Sequence, residues 1–475
     1  MLGPSAVRCG DRASSCSRRT RSAWWPVRSD PPLATVVVVN WNGERWLGPC
    51  LRALAAQRTS FAFDVWVVDN ASTDGSLALL ERDHPGVRVL RNDRNLGFAG
   101  GNDTALREVT TPYAVLLNND AAPEPDWLER LLAPFAVPGA ERLAAVTSKV
   151  VFAPRFLPVR VDAPGFVPGG VDLRELGVRV AAVRIDGEDV TARVLWERLA
   201  YGPEGAGAGR SWWLRPSGEL LLPLPDGTGA HEVEVRWAAE RDKDVRLSWD
   251  GGEAVLAVGP AMGSTAFTVP AGAPAVDVVN NAGSIVLTNG YGADRGYQEV
   301  DRGQYDAPEE VFALCGCAVA LRTTAGREVG WFDDDFFLYY EDTDLSWRLR
   351  AAGWAIRYEP SAVVRHVHSA SSVEWSPTYV FHTDRNRLLM LVKNATPWLA
   401  LREVGRYPLT TGSIALRTVR TAARARVLPA VRPTLLRLRV LASLLRLLPA
   451  VLRRRAAARR AVPRRELQRW LVAGR

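Results

Sequence analysis

The chain has 475 residues, of which 47% are hydrophobic and 24% charged, and its formal net charge is +8. This composition excludes a wholly disordered chain and a fibrous repeat, and the length suits about three domains. The charge is unevenly placed, because residues 401–475 hold 19 Arg and 2 Glu, which leaves −9 for the remainder. An acidic body with a basic appendage argues against a nucleic-acid-binding core.

The N-terminal segment and the cysteines indicate the compartment. Residues 1–30 are rich in Ser and Arg and lack the apolar stretch of a secretory signal, so we expect residues 1–32 to be a disordered leader or the product of a start codon placed too early. Five irregularly spaced cysteines favour a reducing compartment over a disulfide framework or a zinc site. The longest uncharged run, 254–276, contains three prolines and is not expected to span a membrane.

Strands and helices alternate in the first part of the chain. The predicted elements are strand 34–39, helix 44–57, strand 65–68, helix 74–83, strand 87–90, helix 99–109 and strand 113–117. This alternation predicts βαβ units in a doubly wound sheet, with a ligand site beyond the carboxyl ends of the strands. Polar residues follow all four strands, at Asn40, Asp69, 91–95 and 118–120.

A second pattern begins near residue 154. Short alternating segments separated by glycine-containing turns continue to about residue 274 and predict an inserted β-sandwich. Its tryptophans either fill the core of the sandwich, which is the more frequent role of large aromatics, or form a platform for sugar rings. They are Trp196, Trp212, Trp213, Trp237 and Trp249.

The chain after residue 376 is helical in pattern and rich in arginine. Leucines recurring every three or four residues predict a basic amphipathic helix interrupted at Pro449. They are Leu435, Leu438, Leu441, Leu445, Leu448 and Leu452. Such a helix lies on an anionic membrane, docks on the body of the protein or is solvated, and we favour the membrane.

The strand ends offer groups for a nucleotide. Asp69 is a candidate acceptor for a ribose hydroxyl or a base N–H, with Asn40 beside it. The glycine-rich segment 95–102 opens a helix, where the backbone can approach a ligand and the helix N-terminus favours phosphate. Asp120 suits a hard divalent cation, and a second ligand is available at His366.

Two histidines and an acidic cluster complete the set of candidates. His366 and His368 alternate on one strand and so face opposite ways, and we expect His368 and His382 to be structural. Acid pairs among aromatics over 331–348 are costly unless they are used. Asp342 is the candidate general base, whereas Asp344 also fits ordinary placement at a helix start.

Four motifs in order carry a resemblance to a known family. They are VVVNWNG at 37–43, VVDNASTDG at 67–75, NLGFAGGN at 95–102 with LLNND at 116–120, and FLYYEDTDLSWR at 337–348. The chain resembles the family 2 inverting glycosyltransferases of GT-A fold, in the branch of bacterial rhamnosyl- and galactofuranosyltransferases. The resemblance covers about 34–149 and 278–393.

The resemblance implies roles for particular residues. Asp342 would be the catalytic base, and Asp120 and His366 would bind a divalent cation, Mg²⁺ or Mn²⁺. The nucleotide-sugar would be bound by Asn40, Asp69, Asn95, Gly97, Asn102, Asn119, Gly316 and Glu341. The family's metal motif usually begins with Asp, and Asn118 stands there in this chain, so metal binding is expected to be weaker.

These observations predict a GT-A (Rossmann-like) α/β mixed sheet with an inserted β-sandwich-like domain and a C-terminal helical basic tail. The expected divisions are a leader at 1–32, a nucleotide-sugar half at 33–153, the insert at 154–275, an acceptor and catalytic half at 276–395, and the tail at 396–475. The expected reaction moves a sugar from a nucleoside-diphosphate sugar to a hydroxyl of a cell-envelope glycan or lipid-linked acceptor. An arginine-rich, lysine-poor composition indicates a GC-rich bacterial source. In such a cell, the basic tail fits cell-envelope polysaccharide assembly at the inner face of the cytoplasmic membrane.

Three other functions are compatible with parts of the sequence. A nucleotidyltransferase would generally show a basic phosphate loop, yet Lys149 is the only lysine before residue 243. A non-catalytic carbohydrate-binding or scaffold protein would use the insert and would not need Asp342. A nucleic-acid binder would use the arginine-rich tail, and its affinity would fall steeply with salt.

Overall fold

The computed structural model describes residues 30–474, apart from 171, 197–198, 206–208, 226, 228, 368–375 and 459. The expected leader therefore lies almost wholly outside the described residues, as does His368. No helix in the described ranges has both the length and the apolar character needed to cross a bilayer.

The first part of the chain forms the parallel side of a mixed sheet. Its elements are β1 (Ala34–Asn40), α1 (Glu44–Ala55), β2 (Phe63–Asp69), α2 (Ser76–Asp83), β3 (Arg88–Arg91), α3 (Gly97–Leu106) and β4 (Tyr113–Asn118). β1 lies between β2 and β4, and β3 pairs with β2, all in parallel. The predicted alternation is confirmed, and each strand ends one residue later than predicted.

The next elements belong to the antiparallel side of the mixed sheet, and the insert follows them in the chain. β5 (Ala121–Pro123), α4 (Trp127–Leu132) and the fully buried β6 (Leu143–Phe152) precede it. The strands of the insert are β7 (Arg155–Asp162), β8 (Arg179–Ile185), β9 (Glu188–Asp189), β10 (Trp212–Trp213), β11 (Ser217–Leu224), β12 (His231–Ala238), β13 (Lys243–Trp249), β14 (Gly252–Val258) and β15 (Gly263–Val269).

The insert is the predicted β-sandwich. One sheet has the order β10-β8-β12-β15 with β9 on β8, and the other has the order β11-β7-β13-β14. Alternate residues of both sheets meet in one apolar core, which contains Trp196 and Trp237, with Trp212 and Trp249 packed against it. Trp196 and Trp212 stack with ring centroids 5.2 Å apart. Core filling therefore accounts for these four tryptophans.

After the insert the chain completes the mixed sheet. The elements are β16 (Val279–Asn281), β17 (Ser284–Val286), β18 (Gly292–Asp294), β19 (Glu309–Glu310), β20 (Ala318–Arg322), α5 (Thr323–Val329), α6 (Glu341–Ala351) and β21 (Ala355–His366). The strand order is β19-β21-β6-β20-β4-β1-β2-β3, with β16 on β6 and β5 on β21. β20 runs antiparallel to β4, whereas β21 runs parallel to β6. Apolar clusters cover both faces.

Four helices follow the sheet, namely α7 (Pro377–Asn394), α8 (Pro397–Ala425), α9 (Arg432–Ala457) and α10 (Arg464–Leu467). α9 packs on α7, with Val440, Leu444 and Val451 buried. The prediction that this helix is interrupted at Pro449 is wrong, since α9 runs through it. Pro449 lies on the exposed side, where water can satisfy the carbonyl group that the proline leaves without a donor.

Candidate active site

The carboxyl ends of β1 and β2 place two polar side chains next to each other. Asn40 and Asp69 are register partners, and both are buried. The Asn40 amide donates to Ser72 Oγ at 3.2 Å and accepts from Asn119 Nδ2 at 2.8 Å. Asp69 Oδ2 accepts from the Ser72 backbone N–H, whereas Asp69 Oδ1 is buried without a hydrogen-bond partner among the described residues. A buried carboxylate oxygen of this kind suits an N–H or O–H of a ligand.

The glycine-rich segment forms the first turn of α3 beside the strand ends. Asn95 Oδ1 accepts from the Gly97 N–H at 2.8 Å, and Gly97 has a φ of +72°. A Cβ at Gly97 would lie 2.2 Å from the Phe337 carbonyl oxygen, so only glycine fits here. That oxygen accepts from the N–H groups of Phe98 at 2.7 Å and Ala99 at 3.3 Å.

These contacts correct the expectation that the N-terminus of α3 receives a phosphate. Its first backbone donors already serve Asn95 and Phe337, which belong to the protein itself. The glycines allow close packing, since a Cβ at Gly101 would lie 2.7 Å from Val39 Cγ1. Asn102 is buried and donates to the Phe98 carbonyl at 2.9 Å, so its amide supports the same turn.

Asp120 and His366 meet at the edge formed by β4, β5 and β21. His366 Nε2 lies 3.2 Å from Asp120 Oδ1 and 3.4 Å from Asn118 Nδ2. His366 Nδ1 lies 3.1 Å from Asn280 Oδ1, and both side chains are buried. The structure thus brings together the two residues that the sequence offered as metal ligands, although 246 positions separate them.

The donor atoms at this edge fit a divalent cation that takes part of its shell from a substrate. A carboxylate and an imidazole nitrogen are suitable ligands, and Asn280 orients the ring in the way that outer partners of metal-bound histidines do. In the described ranges no cluster of three or more His, Cys, Asp or Glu side chains could hold a metal ion. A cation here would accordingly depend on water and on ligand oxygens, as Mg²⁺ usually does.

Asp342 lies on the same edge as the Asp120–His366 pair. Its Oδ2 accepts from the Gly316 N–H at 3.2 Å, and Oδ1 accepts from the Thr343 hydroxyl at 3.1 Å. The residue after Gly316, Cys317, accepts through its carbonyl from the Asn118 N–H at 2.9 Å. Asp342 is therefore connected to the end of β4 by two hydrogen bonds, one to the Gly316 N–H and one between the Cys317 carbonyl and the Asn118 N–H. Desolvation raises the pKa of Asp342, and a raised pKa makes its carboxylate a better proton acceptor.

Gly316 and Glu341 contribute to this edge in different ways. A Cβ on Gly316 would lie 3.1 Å from the Phe98 ring and 3.6 Å from Asp342 Cβ, so Gly316 permits the approach of Asp342. Glu341 is buried, and its Oε2 has no hydrogen-bond partner among the described residues. Burial and the neighbouring Asp342 charge raise the pKa of Glu341 well above its usual value, which favours a protonated carboxyl that donates to a ligand.

The loop before α6 is held by a residue that sequence reasoning missed. Phe337, Tyr339 and Tyr340 all have positive φ, an uncommon conformation for residues with a Cβ. The buried Asn386 amide donates to the carbonyls of Phe336, Leu338 and Tyr339 at 2.7–2.8 Å. The run of four polar residues at 384–387, directly before the apolar stretch 388–392, is the sequence signal for this contact.

A buried ion-pair cluster fixes the start of α6. Lys393 Nζ lies 2.6 Å from Asp333 Oδ2 and 2.8 Å from Asp344 Oδ2, and Arg348 also contacts Asp344. Although burial opposes ionisation, the charges of Lys393 and Arg348 hold the pKa of Asp344 at about 2. Arg454 of α9 reaches Asp333 at 2.8 Å. Asp344 is therefore a structural anchor, and the sequence did not indicate its partners.

His382 is half-buried, and its ring stacks on the Phe337 ring with centroids 5.3 Å apart. Burial lowers the pKa of His382 to about 4, so its ring is neutral at neutral pH. This arrangement fits the structural role expected for it.

Comparisons with known proteins match both halves of the mixed sheet. Residues 35–151 match the Glycosyl transferase family 2 model, and residues 268–381 match Glycosyl transferase family group 2. A pre-mycofactocin glycosyltransferase of Mycobacterium tuberculosis is 33% identical over 146 residues, which is 27% of this chain and 31% of the relative. An N-acetylglucosaminyl-diphospho-decaprenol L-rhamnosyltransferase of the same species is 41% identical over 83 residues, 15% of this chain and 27% of the relative.

The matches to these curated relatives thus span about a third of their length or less. Among solved structures, GalNAc-T7 with UDP, GalNAc and Mn²⁺ is 12% identical with a TM-score of 0.43, over 77% of this chain and 48% of that one.

Proposed function

Because the chain is a family 2 glycosyltransferase of GT-A fold, we propose that it transfers a sugar, with inversion, from a nucleoside-diphosphate sugar to an acceptor hydroxyl. One observation carries this proposal. Asp342 is tied through Gly316 and Cys317 to the strand end that bears Asp120, so a base and a candidate leaving-group site share one edge. The proposed acceptor is a cell-envelope glycan or a lipid-linked sugar, in keeping with the name of the related decaprenol-linked L-rhamnosyltransferase.

The residues on this edge supply the chemistry of a single displacement. Asp342 takes the proton of the acceptor hydroxyl, and the oxygen of that hydroxyl attacks the anomeric carbon. The bond from that carbon to the diphosphate breaks, and the electron pair leaves with the diphosphate. The base is worth about 10²–10⁴-fold in rate. Asp120 and His366 would hold a divalent cation, which when bound neutralises charge on the diphosphate.

The remaining residues position the donor. Asp69 Oδ1 and Asn40 are proposed to receive the base and ribose, with Asn119 fixing Asn40. The turn of α3 forms one wall of the proposed donor site, through Asn95, Gly97 and Asn102. The transferred sugar is proposed to lie against Gly316 and Glu341. The nucleotide base and the sugar are left open, since UDP, dTDP and GDP all offer the N–H and hydroxyl groups that Asp69 would bind.

A nucleotide panel tests the proposal. Melting of the purified protein is measured with UDP, dTDP and GDP, each with and without Mg²⁺ or Mn²⁺. A ligand at 100 times its dissociation constant adds about 2.7 kcal/mol of stability. We expect one nucleotide to raise the melting temperature, with a metal-dependent part that Asp120→Ala removes and the exposed Asp126→Ala keeps. Absence of any nucleotide effect would overturn the proposal, and a metal-independent effect would overturn the role of Asp120.

The insert is proposed to recognise a glycan or a protein partner. An open cavity of about 480 Å³ lies on its outer surface, between β7, β11, β13 and β14. Asp162, Ser217, Asp244 and Arg246 line it and provide hydrogen-bonding groups suited to sugar hydroxyls. Binding of soluble cell-envelope glycan fragments to the wild-type chain and to Asp244→Ala checks this proposal, and equal binding would contradict it.

We also propose that the protein works at the inner face of the cytoplasmic membrane, through its basic C-terminal region. The charge of +17 over residues 401–475 supports this location, because the cytoplasmic leaflet carries anionic lipids.

A further inference from the structure

The outer side of α8 carries an apolar row that the described part of the protein leaves exposed. Five large apolar side chains lie on one side of this helix, with Gly405 and Gly412 between them on the same side, and each of the five is 50–74% exposed. These residues, the outer row of α8, are Trp398, Leu401, Leu409, Leu416 and Val419. Single exposed leucines are ordinary on protein surfaces, but five large apolar side chains on one side of a helix, spread over about six turns, indicate a partner.

The opposite side of α8 already packs on the protein. Leu399, Tyr407, Thr411 and Ala422 are buried, and the Tyr407 hydroxyl donates to Asp384 of α7 at 2.8 Å. α8 is therefore docked by one face, and the outer row is a second apolar face with no role in that docking.

Positive charge borders the outer row of α8. The helix contains one acidic residue, Glu403, which is buried 3.3 Å from Arg387 and so gives no exposed negative charge. Its arginines are all exposed and follow the same side of the helix at one margin of the row. They are Arg402, Arg406, Arg417, Arg420 and Arg424.

The six leucines of the repeat in α9 fall into two groups, one packed against the protein and one exposed. Leu441 and Leu448 pack against the body of the protein. The other four, the outer row of α9, are 47–66% exposed, and they are Leu435, Leu438, Leu445 and Leu452. Arg437 and Arg454 of the same helix bind Asp384 and Asp333, so part of its charge docks the helix.

We propose that the outer rows of α8 and α9 insert into an anionic lipid surface. Apolar rows bordered by arginine, with a tryptophan at one end, are the pattern of helices that lie in the headgroup region. The inference rests on the proposed membrane location and is independent of sugar transfer. It adds α8, which the leucine repeat did not indicate, and restricts the contribution of α9 to four of six leucines.

Sedimentation with vesicles tests this inference on the full chain. The probes are vesicles of phosphatidylcholine alone and of phosphatidylcholine mixed with phosphatidylglycerol. We expect binding to the anionic vesicles, weakened by salt, because surface attraction is screened within a Debye length. Leu409→Gln with Leu416→Gln should weaken binding about tenfold or more, since each leucine loses its apolar transfer energy. Leu438→Gln with Leu445→Gln should act similarly.

Matched controls separate the outcomes. Leu173→Gln changes an 82% exposed leucine of the insert and should leave vesicle binding unchanged, and nucleotide-dependent melting should be the same in every variant. Wild-type binding that survives all four helix substitutions would overturn the assignment of the rows and leave the membrane location standing. No binding by the wild-type chain would overturn both. A wild-type oligomer that the helix substitutions convert to monomers would assign the rows to self-association instead.

Discussion

The two sides of the candidate active site are built in different ways. Asn40 and Asp69 end two parallel strands, β1 and β2, and are register partners across them. Asp342 lies in the first turn of α6, after a loop with positive φ at Phe337, Tyr339 and Tyr340. That loop is held by Asn386 and Lys393 of α7 and by Arg454 of α9.

From this difference we expect the proposed nucleotide binding to depend less on the C-terminal helices than the placement of the acid does. Sheet register aligns Asn40 and Asp69, because hydrophobic pairing sets that register. The turn of α3 beside them also contacts the loop, through the Phe337 carbonyl. The acid side needs the C-terminal helices as well, so damage to those helices should affect the reaction more than nucleotide binding.

The largest expected effect is on the acid side itself. Asp342→Asn should lower the transfer rate by about 10²–10⁴-fold, because an amide cannot take the acceptor proton. The amide oxygen can still accept from the Gly316 N–H, so nucleotide binding should persist. Release of nucleoside diphosphate from the donor chosen by the nucleotide panel measures the rate. Asp334→Asn, at a 62% exposed side chain, is the control, and an undiminished rate in Asp342→Asn would refute its role.

Breaking the buried ion-pair cluster tests the dependence on α7. Lys393→Met leaves Asp333 and Asp344 with fewer compensating charges, and we expect a loss of about 3–5 kcal/mol in the free energy of unfolding. Urea unfolding measures it. Arg107→Met removes an exposed partner of Asp334 and should cost at most about 1 kcal/mol. Equal losses in the two variants would show that the cluster does not anchor the acid side.

The seam between the two sides carries a pH-dependent contact. Asp103 of α3 accepts from the Phe332 N–H at 3.1 Å, and burial raises its pKa to about 6. Folding therefore favours the protonated form, so this contribution to stability is present below about pH 4 and is lost as pH rises through about 6.

Asp103→Asn should reduce the dependence of folding stability on pH between about pH 4 and pH 6. The stability of the wild-type chain relative to Asp103→Asn should fall by roughly 3 kcal/mol between the two pH values. Urea unfolding at a series of pH values checks this. Parallel profiles for the two proteins would show that Asp103 titrates normally in the folded state.

The smallest expected effect concerns the loop alone. Asn386→Ala removes the donor to three carbonyls of the loop; that of Phe336 keeps the Leu338 N–H and Arg385, whereas those of Leu338 and Tyr339 lose their amide partner. We expect a cost of about 1–3 kcal/mol for these acceptors. We expect faster hydrogen exchange over 336–340 and slower transfer, with nucleotide-dependent melting unchanged. Asn289→Ala removes a turn contact elsewhere and serves as the control. Loss of nucleotide binding in Asn386→Ala would show that the two sides are not separable.

Much of the fold was predictable because its signals are local. Runs of β-branched residues marked β1 and β2, and alternating residues between glycine turns marked the insert. The helix containing Pro449 was misjudged, since the exposure of a proline depends on what packs around it. The motif residues Asn40, Asp69 and Asp120 were recognisable in the sequence, whereas Asn386 and Lys393 were not, since their function lies in contacts with a distant loop.

The amino-acid sequence by itself determined the order of strands and helices and the polar residues that end each strand, because these depend on neighbours a few positions apart. Only the tertiary structure decided which residues meet. His366 lies beside Asn118 across 248 positions, and Asn386 supports a carbonyl 50 positions away. Such pairs form when sheet register and helix packing are established together, and no periodicity in the sequence records them.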